Sequence, residues 1–278
     1  MAGVQATHAQ IFGATSNSPR SLALGRSDIA DSRDEWSPNA ALPADTFSHI
    51  HALLSPLPLG LPQSWNAGFS GDIPFESHWL AGASFSRYQY TDAFSWQSFG
   101  IQASKTFDVG TKNDTTQQPM RHAVAGIRLR YSQETFGDAS SVASYLPLDD
   151  IGVDLGASFD LFPQLTFAAA VTHLVSLYNN QDISSEDRVA WLGLSYRPTT
   201  DLTLDATLET SPENNPAFHA GAEYAIDQHL FVRAGADTQT GEISGGIGVH
   251  SNNFTADFAA IRHPDLGTSI SFGIGFEL

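Results

Sequence analysis

Apolar and polar positions alternate through the C-terminal half of the chain almost without a slip. In residues 268–278, Ile270, Phe272, Ile274, Phe276 and Leu278 fall on one face, and Ser269, Ser271, Gly273, Gly275 and Glu277 on the other. A period of two specifies a β-strand, because successive side chains point to opposite sides. The pattern repeats upstream. Phe254, Ala256 and Phe258 alternate with Thr255 and Asp257, and Leu204 and Leu208 with Asp205 and Glu209. Between the strands lie turn-forming groups such as Pro163–Gln164, Asp227–Gln228, Asn252–Asn253 and Pro264–Gly267. The pattern predicts strands over 47–57, 64–73, 78–90, 94–108, 121–131, 150–161, 165–177, 188–197, 201–210, 216–226, 229–237, 241–250, 253–262 and 268–278. One oily face and one small or charged face, repeated about fourteen times with short connections, predicts an all-β fold: a single transmembrane antiparallel β-barrel.

The connections sort into two classes. Those near 162–164, 198–200, 227–228 and 251–252 are short and fall on the side of the chain termini. Those near 132–149, 178–187 and 211–215 are longer and fall on the other side, the asymmetry of outer-membrane barrels. Segment 109–120 breaks the rule, being long and polar on the short-turn side, and reads as a loop. Alternation stops before residue 47. Residues 1–46 therefore read as an N-terminal extension, with a short strand and a turn-rich stretch tucked against or inside the barrel mouth, and residues 47–278 as the barrel.

Composition changes the picture in three ways. The chain of 278 residues has no apolar run long enough for a membrane helix, which leaves barrel strands as the way to cross. Its formal net charge of −17 disfavours nucleic acid as a partner and suits a wet, acidic interior or acidic loops. Cysteine is absent, so disulfides, thiolate metal sites and Cys nucleophiles are excluded together. The start lacks a basic, apolar secretory signal, although Thr7–Ala9 resembles the end of a cleavage site; we expect a mature chain or a truncated precursor.

The candidate chemistry is sparse. His49 and His51 share a strand face, but with no obvious third ligand they read as polar lumen histidines rather than a metal site. Gly245, Gly246 and Gly248, and likewise Gly273 and Gly275, sit within strands, where they relieve crowding and do not cradle phosphate. No nucleophile elbow exists, and Ser195 and His219 merely share the lumen face; no enzyme, cofactor or metal is expected. The inward acidic set Asp154, Asp160, Asp205, Glu209, Glu223, Asp237, Glu242 and Asp257, set against Arg128, Arg130 and Arg233, is the main constellation. It reads first as a salt-bridged filling of the lumen and second as a cation-favouring channel. Trp65, Trp79, Tyr88, Tyr131, Tyr178, Tyr196 and Tyr224 near strand ends suit interfacial belts.

Short pieces of the chain resemble the PorV/PorQ-type and wider FadL-like outer-membrane proteins of Gram-negative bacteria. Arg20, Ser21, Ala23 and Gly25 match an N-terminal Arg-Ser-x-Ala-Leu-Gly motif, Asp31 and Asp34 its acidic stretch, and Pro38–Asn39 its Asn-Pro with the order exchanged. The C-terminal pieces Leu194–Pro198, Ala220–Tyr224, Val232–Gly235 and His263–Gly267 are similar too. The chain departs at Arg26, where a second glycine is common, which bears on any plug role at that turn. It departs again at Leu278, where such barrels often end in an aromatic. The resemblance implies a fourteen-stranded, porin-like barrel in the outer membrane of a Gram-negative bacterium. It also implies transport of a small hydrophobic molecule, with outer-membrane lipid around the barrel. A scaffold acting through type IX secretion-system proteins is the alternative implied, and a soluble secreted β-sandwich is a third reading from the pattern alone.

Overall fold

The structure is a computed structural model that describes residues 18–31, 36–44, 47–56, 58, 61, 63–76, 78–109, 121–136, 148–179, 188–212 and 215–278. Fourteen antiparallel strands form one closed ring: β1 (His49–Pro56), β2 (Ser64–Phe75), β3 (Trp79–Tyr90), β4 (Phe94–Val109), β5 (Arg121–Phe136), β6 (Leu148–Phe162), β7 (Leu165–Asn179), β8 (Val189–Tyr196), β9 (Leu202–Thr210), β10 (Ala217–Ala225), β11 (Leu230–Asp237), β12 (Ile243–Ser251), β13 (Phe254–His263) and β14 (Gly267–Glu277). Each strand pairs with its neighbours in sequence. The ring closes where His49 of β1 meets Glu277 of β14 and Leu54 meets Phe272. Every backbone ladder is therefore paired within the wall, the condition a sheet must meet in hydrocarbon.

The outward residues are large and apolar, and they stay exposed: Phe69, Ile101, Ile127, Leu192, Ile247 and Phe272 are examples. All fourteen strands belong to the one ring, so no second sheet covers this face, and the sandwich reading falls. The wall is uneven. Strands β4 to β7 run to 15 or 16 residues, whereas β8 to β14 run to only 8 to 11. β4 and β5 outrun β3 at the terminus side, past the Trp79–Lys105 pair, and β6 and β7 outrun β8 at the end away from the termini, past the Thr172–Val189 pair. There Gln133, on the outward side of β5, bonds Gln97 at 2.8 Å and Asp149 at 2.7 Å, so the outside turns polar above the apolar band.

The connections at the terminus side are tight at 163–164 and 252–253. Those at the far side include 137–147 and 180–187, which lie outside the described residues, as does 110–120. Tight far-side turns also occur, at 91–93 and 264–266, so the two sides differ less uniformly than the sequence suggests.

The N-terminal region differs from expectation. Where a short strand was expected, residues Pro19–Ala23 form a helix, α1. Pro19 at its first position fixes φ, and the Ser18 hydroxyl accepts the Ser21 N–H at 3.2 Å as a cap. Gly25 (φ +66°) and Arg26 (φ +62°) then reverse the chain into a 3₁₀ turn at Asp28–Ala30. The apolar residues of this segment pack on inward wall residues: Leu22 and Ala23 on Ala259 and Ile261, and Ile29 and Ala30 on Ala168, Ala170 and Trp191. The core of the molecule is thus the lumen. One belt assignment also fails: Tyr88 points inward, buried against Trp96, because its parity on β3 matches Ser86 and Leu80. Trp65, Tyr196 and Tyr224 are outward and exposed, while the side chain of Tyr178 lies outside the described ones.

Candidate ligand site

The lumen site starts from how closely the N-terminal backbone approaches the wall. A Cβ on Gly126 would lie 1.9 Å from the Ala40 carbonyl oxygen, so β5 can carry only glycine there. Gly235 meets the backbone of Leu24 and Gly25 in the same way, 2.2 Å from where its Cβ would be. The wall is cut to the shape of the segment it surrounds.

Arg20, on α1, is fully buried and forks to three carboxylates: Glu223 of β10 at 3.1 Å, Asp28 at 3.2 Å and Asp31 at 2.7 Å. Ser21 donates to Asp28 at 2.7 Å, and Arg197 pairs with Asp31. Arg233 of β11 donates its Nε–H to Glu223 at 2.6 Å and pairs with Asp257. Burial makes each of these charges costly unless paired, and here each has its partner.

Arg26 forms a second latch, nearer the far end, with Asp237 at 3.0 Å and Glu242 at 3.0 Å. Beside it, His219 bonds the Gly25 carbonyl at 3.1 Å and Glu209 at 3.1 Å. Ser195 lies two strands away, opposite Asp205, whereas His219 lies opposite Thr207. The arginine that departs from the family-like motif ties this turn to the wall.

A third group holds residues 36–44. Arg128 donates to the Ser37 carbonyl at 2.8 Å and to Gln102, and lies 3.7 Å from Asp154, which Arg130 also pairs. Pro38 sits in the bend. Beside it, Asn39 donates to the Ile29 carbonyl at 3.0 Å and accepts the Ala41 N–H at 3.0 Å, joining two parts of the segment. Ser104 donates to the Leu42 carbonyl at 2.5 Å.

Of the remaining inward residues named from sequence, Asp205 faces Ser195 across β8 and β9, close to Asp31 and Asp28. Asp160 stands apart at the terminus-side end, accepting from Thr166 at 2.9 Å and the His122 N–H at 3.1 Å. The acidic set is thus divided among three arginine-centred groups and two outliers.

The segment does not fill the lumen completely. A cavity of about 440 Å³ lies at the terminus side, between the N-terminal segment and strands β11 to β3 around the ring closure. One flank is aromatic: His49 stacks on His51 with centroids 6.1 Å apart, and His51 meets Trp36 edge-on at 6.5 Å. Asp72 accepts from His49 at 3.1 Å. The facing flank is Phe231 and His250, edge-on at 5.8 Å, with Arg233 and Asp257. Between them Gly273 makes room for Pro19 and Gly248 for the Arg233 guanidinium. Among the described residues no group of three His, Cys, Asp or Glu is placed to hold a metal.

Sequence reasoning named His49 and His51 but not the cavity. Trp36, Phe231 and His250 line it from the extension and from two other strands, and only the closed ring brings them together.

No family model matches the sequence, and no curated protein is detectably similar to it. Solved structures match the fold. The toluene transporter TodX of Pseudomonas putida superposes with a TM-score of 0.61 at 10% identity, over 94% of this chain and 97% of that one. The CymD monoaromatic hydrocarbon channel gives 0.58 at 10% identity, over 94% and 96%. At this identity the likeness establishes the shared barrel fold.

Proposed function

We propose that the chain is an outer-membrane barrel that takes a small, largely apolar molecule into the cavity at its periplasmic mouth and passes it across the wall. The observation that carries this reading is the cavity itself. Its volume falls within the range of small-molecule pockets, about 300–1,000 Å³. Trp36, Leu42, Pro43 and Phe231 give it apolar surface, set among charged side chains and histidines. The exposed apolar belt supports a lipid setting, and the termini of such barrels face the periplasm. The fold likeness to hydrocarbon channels and the FadL-like motif around Arg20 support the same reading. Because the N-terminal segment occupies the lumen beyond the cavity, passage requires that segment to shift, with the Arg26 latch as its outer restraint.

The test is uptake of 1-N-phenylnaphthylamine, an apolar dye excluded by an intact outer membrane, in a Gram-negative host expressing the chain behind a signal peptide. Uptake several-fold above an empty vector, with heat-modifiable migration of the membrane-fraction protein on gels, is the expected result. Uptake equal to vector sinks transport, and recovery as a soluble monomer without detergent sinks the membrane reading. The second reading is a scaffold of the PorV/PorQ type working through secretion-system proteins. It is favoured by the lumen being filled with paired charges centred on Arg20. It predicts a barrel without flux that co-purifies stoichiometrically with its partners.

A further inference from the structure

We infer that the cavity at the terminus-side mouth selects an organic cation: a small molecule with an aromatic or aliphatic body and a protonated or quaternary amine. The inference rests on the ligand-binding reading above and names the chemical class of the ligand.

Aromatic faces and carboxylates converge there from both flanks. On one flank Trp36, His51 and His49 form a ladder of rings, and Asp72, buried behind it, is held 3.1 Å from His49. On the other, Phe231 and His250 present a second ring pair, with Asp257 beside them. A cation between the two flanks lies near the Trp36 ring and the carboxylates together, the combination that recognises quaternary ammonium groups, while the Phe231 ring already holds the Arg233 guanidinium 6.0 Å from its centroid.

Charge decides the sign. Four carboxylates line the space (Asp31, Asp72, Asp257 and Glu277) against two guanidiniums (Arg20 and Arg233), with Arg197 reaching Asp31 from outside the lining. Both guanidiniums are already engaged. Arg20 binds Glu223, Asp28 and Asp31, and Arg233 binds Glu223 and Asp257. An anion entering the cavity would have to pull one of these arginines from its carboxylates, whereas a cation would share carboxylates that keep their present partners, Asp31 with Arg20 and Arg197, Asp257 with Arg233 and Asp72 with His49. Between the flanks a Cβ on Gly248 would meet the Arg233 guanidinium at 2.6 Å and one on Gly273 would meet Pro19 at 3.0 Å, so glycine at both positions makes room for the groups that shape the cavity.

Three probes of nearly one shape test this: benzyltrimethylammonium, its neutral carbon isostere neopentylbenzene, and the anion benzylphosphonate. Their binding to the full chain in zwitterionic detergent is measured by calorimetry or equilibrium dialysis. The cation is expected to bind about tenfold tighter than the neutral isostere, and the anion weakest. Asp72→Asn, which keeps the hydrogen-bonding shape beside His49, is expected to reduce the cation's affinity several-fold and leave neopentylbenzene unchanged. Trp36→Leu should also erode the cation's advantage, and the unfolding midpoint of each variant checks that the barrel is intact. Equal or tighter binding of the neutral probe overturns the inference while leaving the apolar-ligand reading in place, as does cation binding indifferent to both substitutions. Tight, Asp72-dependent cation binding without dye uptake in cells overturns transport and leaves the inference standing. No binding of any probe overturns both.

Discussion

Strand β12 shows how differently the two faces of this wall are built. Its outward residues Ile247 and Val249 are exposed and touch nothing that would distinguish them from any other apolar side chain. Its inward residues each have a specific neighbour one step away. A Cβ on Gly246 would meet Ala23 at 2.6 Å, one on Gly248 would meet the Arg233 guanidinium at 2.6 Å, and His250 lies edge-on to Phe231. The outer face needs only apolar area, and many sequences supply that. The inner face must match the shape and charge of one segment, and few do. Substitutions should therefore be graded by chemistry outside and by geometry inside.

The sharpest way to break that contrast is Arg20→Met. It removes the guanidinium but leaves Glu223, Asp28 and Asp31 buried around an apolar chain. Stripping one partner from a buried ion network costs about 3–5 kcal/mol. We expect that loss in reversible urea unfolding from lipid vesicles, with Arg20→Lys recovering only part of it, since an ammonium cannot reproduce the fork. A loss below about 1 kcal/mol would mean that water reaches these carboxylates and that the lumen is not packed.

Outside, the comparable insult is a charge. Ile247→Arg, near the middle of β12, should cost about 2–4 kcal/mol in bilayers, whereas Ile247→Leu should stay under about 1.5 kcal/mol. If the arginine were tolerated in vesicles, the exposed apolar belt would not be facing hydrocarbon.

A pair of glycines isolates geometry from chemistry. Gly126 faces in, with the Ala40 carbonyl 1.9 Å from where a Cβ would sit, while Gly245 faces out with nothing nearer than 3.5 Å. Gly126→Ala should cost about 1–3 kcal/mol by forcing the two backbones apart, and Gly245→Ala should change stability by no more than about 0.5 kcal/mol. Equal effects in thermal unfolding would erase the distinction between the faces.

The same contrast explains what could be read beforehand. The strands were legible because the outward face repeats: β8 at 189–196 and β14 at 267–277 lie within two residues of their expected limits. β5 extends five residues past the expected 131 because Gln133 and Thr135 occupy outward positions with polar side chains, where the apolar signal ends. The site was less legible. Arg128, Arg233 and the acidic residues were visible as inward charges, but their partners Arg20, Asp28 and Ser37 belong to a segment with no periodicity. Helix α1 is only five residues long, too short for a 3.6-residue pattern to register; its signals were Ser18 and Pro19, a cap and a first-turn proline. The cavity was invisible because Trp36, His49, Phe231 and His250 are far apart in sequence and meet only when β1 pairs with β14.

The smallest effect is expected at Asp227, in the terminus-side turn between β10 and β11, where a carboxylate does in water what Asp31 does in the dry lumen. Its Oδ1 accepts the backbone N–H groups of His229 at 2.7 Å and Leu230 at 2.9 Å while the side chain stays fully exposed. Those two hydrogen bonds, the one from His229 first, hold its pKa below the ordinary aspartate value of 3.8. A depressed folded-state pKa means that the contribution is present in full above the unfolded value and is lost as pH falls through the folded one. Asp227→Ala should therefore be slightly less stable than wild type at neutral pH, by the same margin down to about pH 5, and the margin should shrink only in stronger acid. A carboxyl ¹³C titration of Asp227 by NMR in micelles checks the shift, and paired unfolding curves check the margin. A margin that grew on acidification would mean that the protonated form is the better acceptor, and the turn would then need another account. If instead the margin rivalled that of Arg20→Met, burial would not be what separates the lumen's carboxylates from those in water.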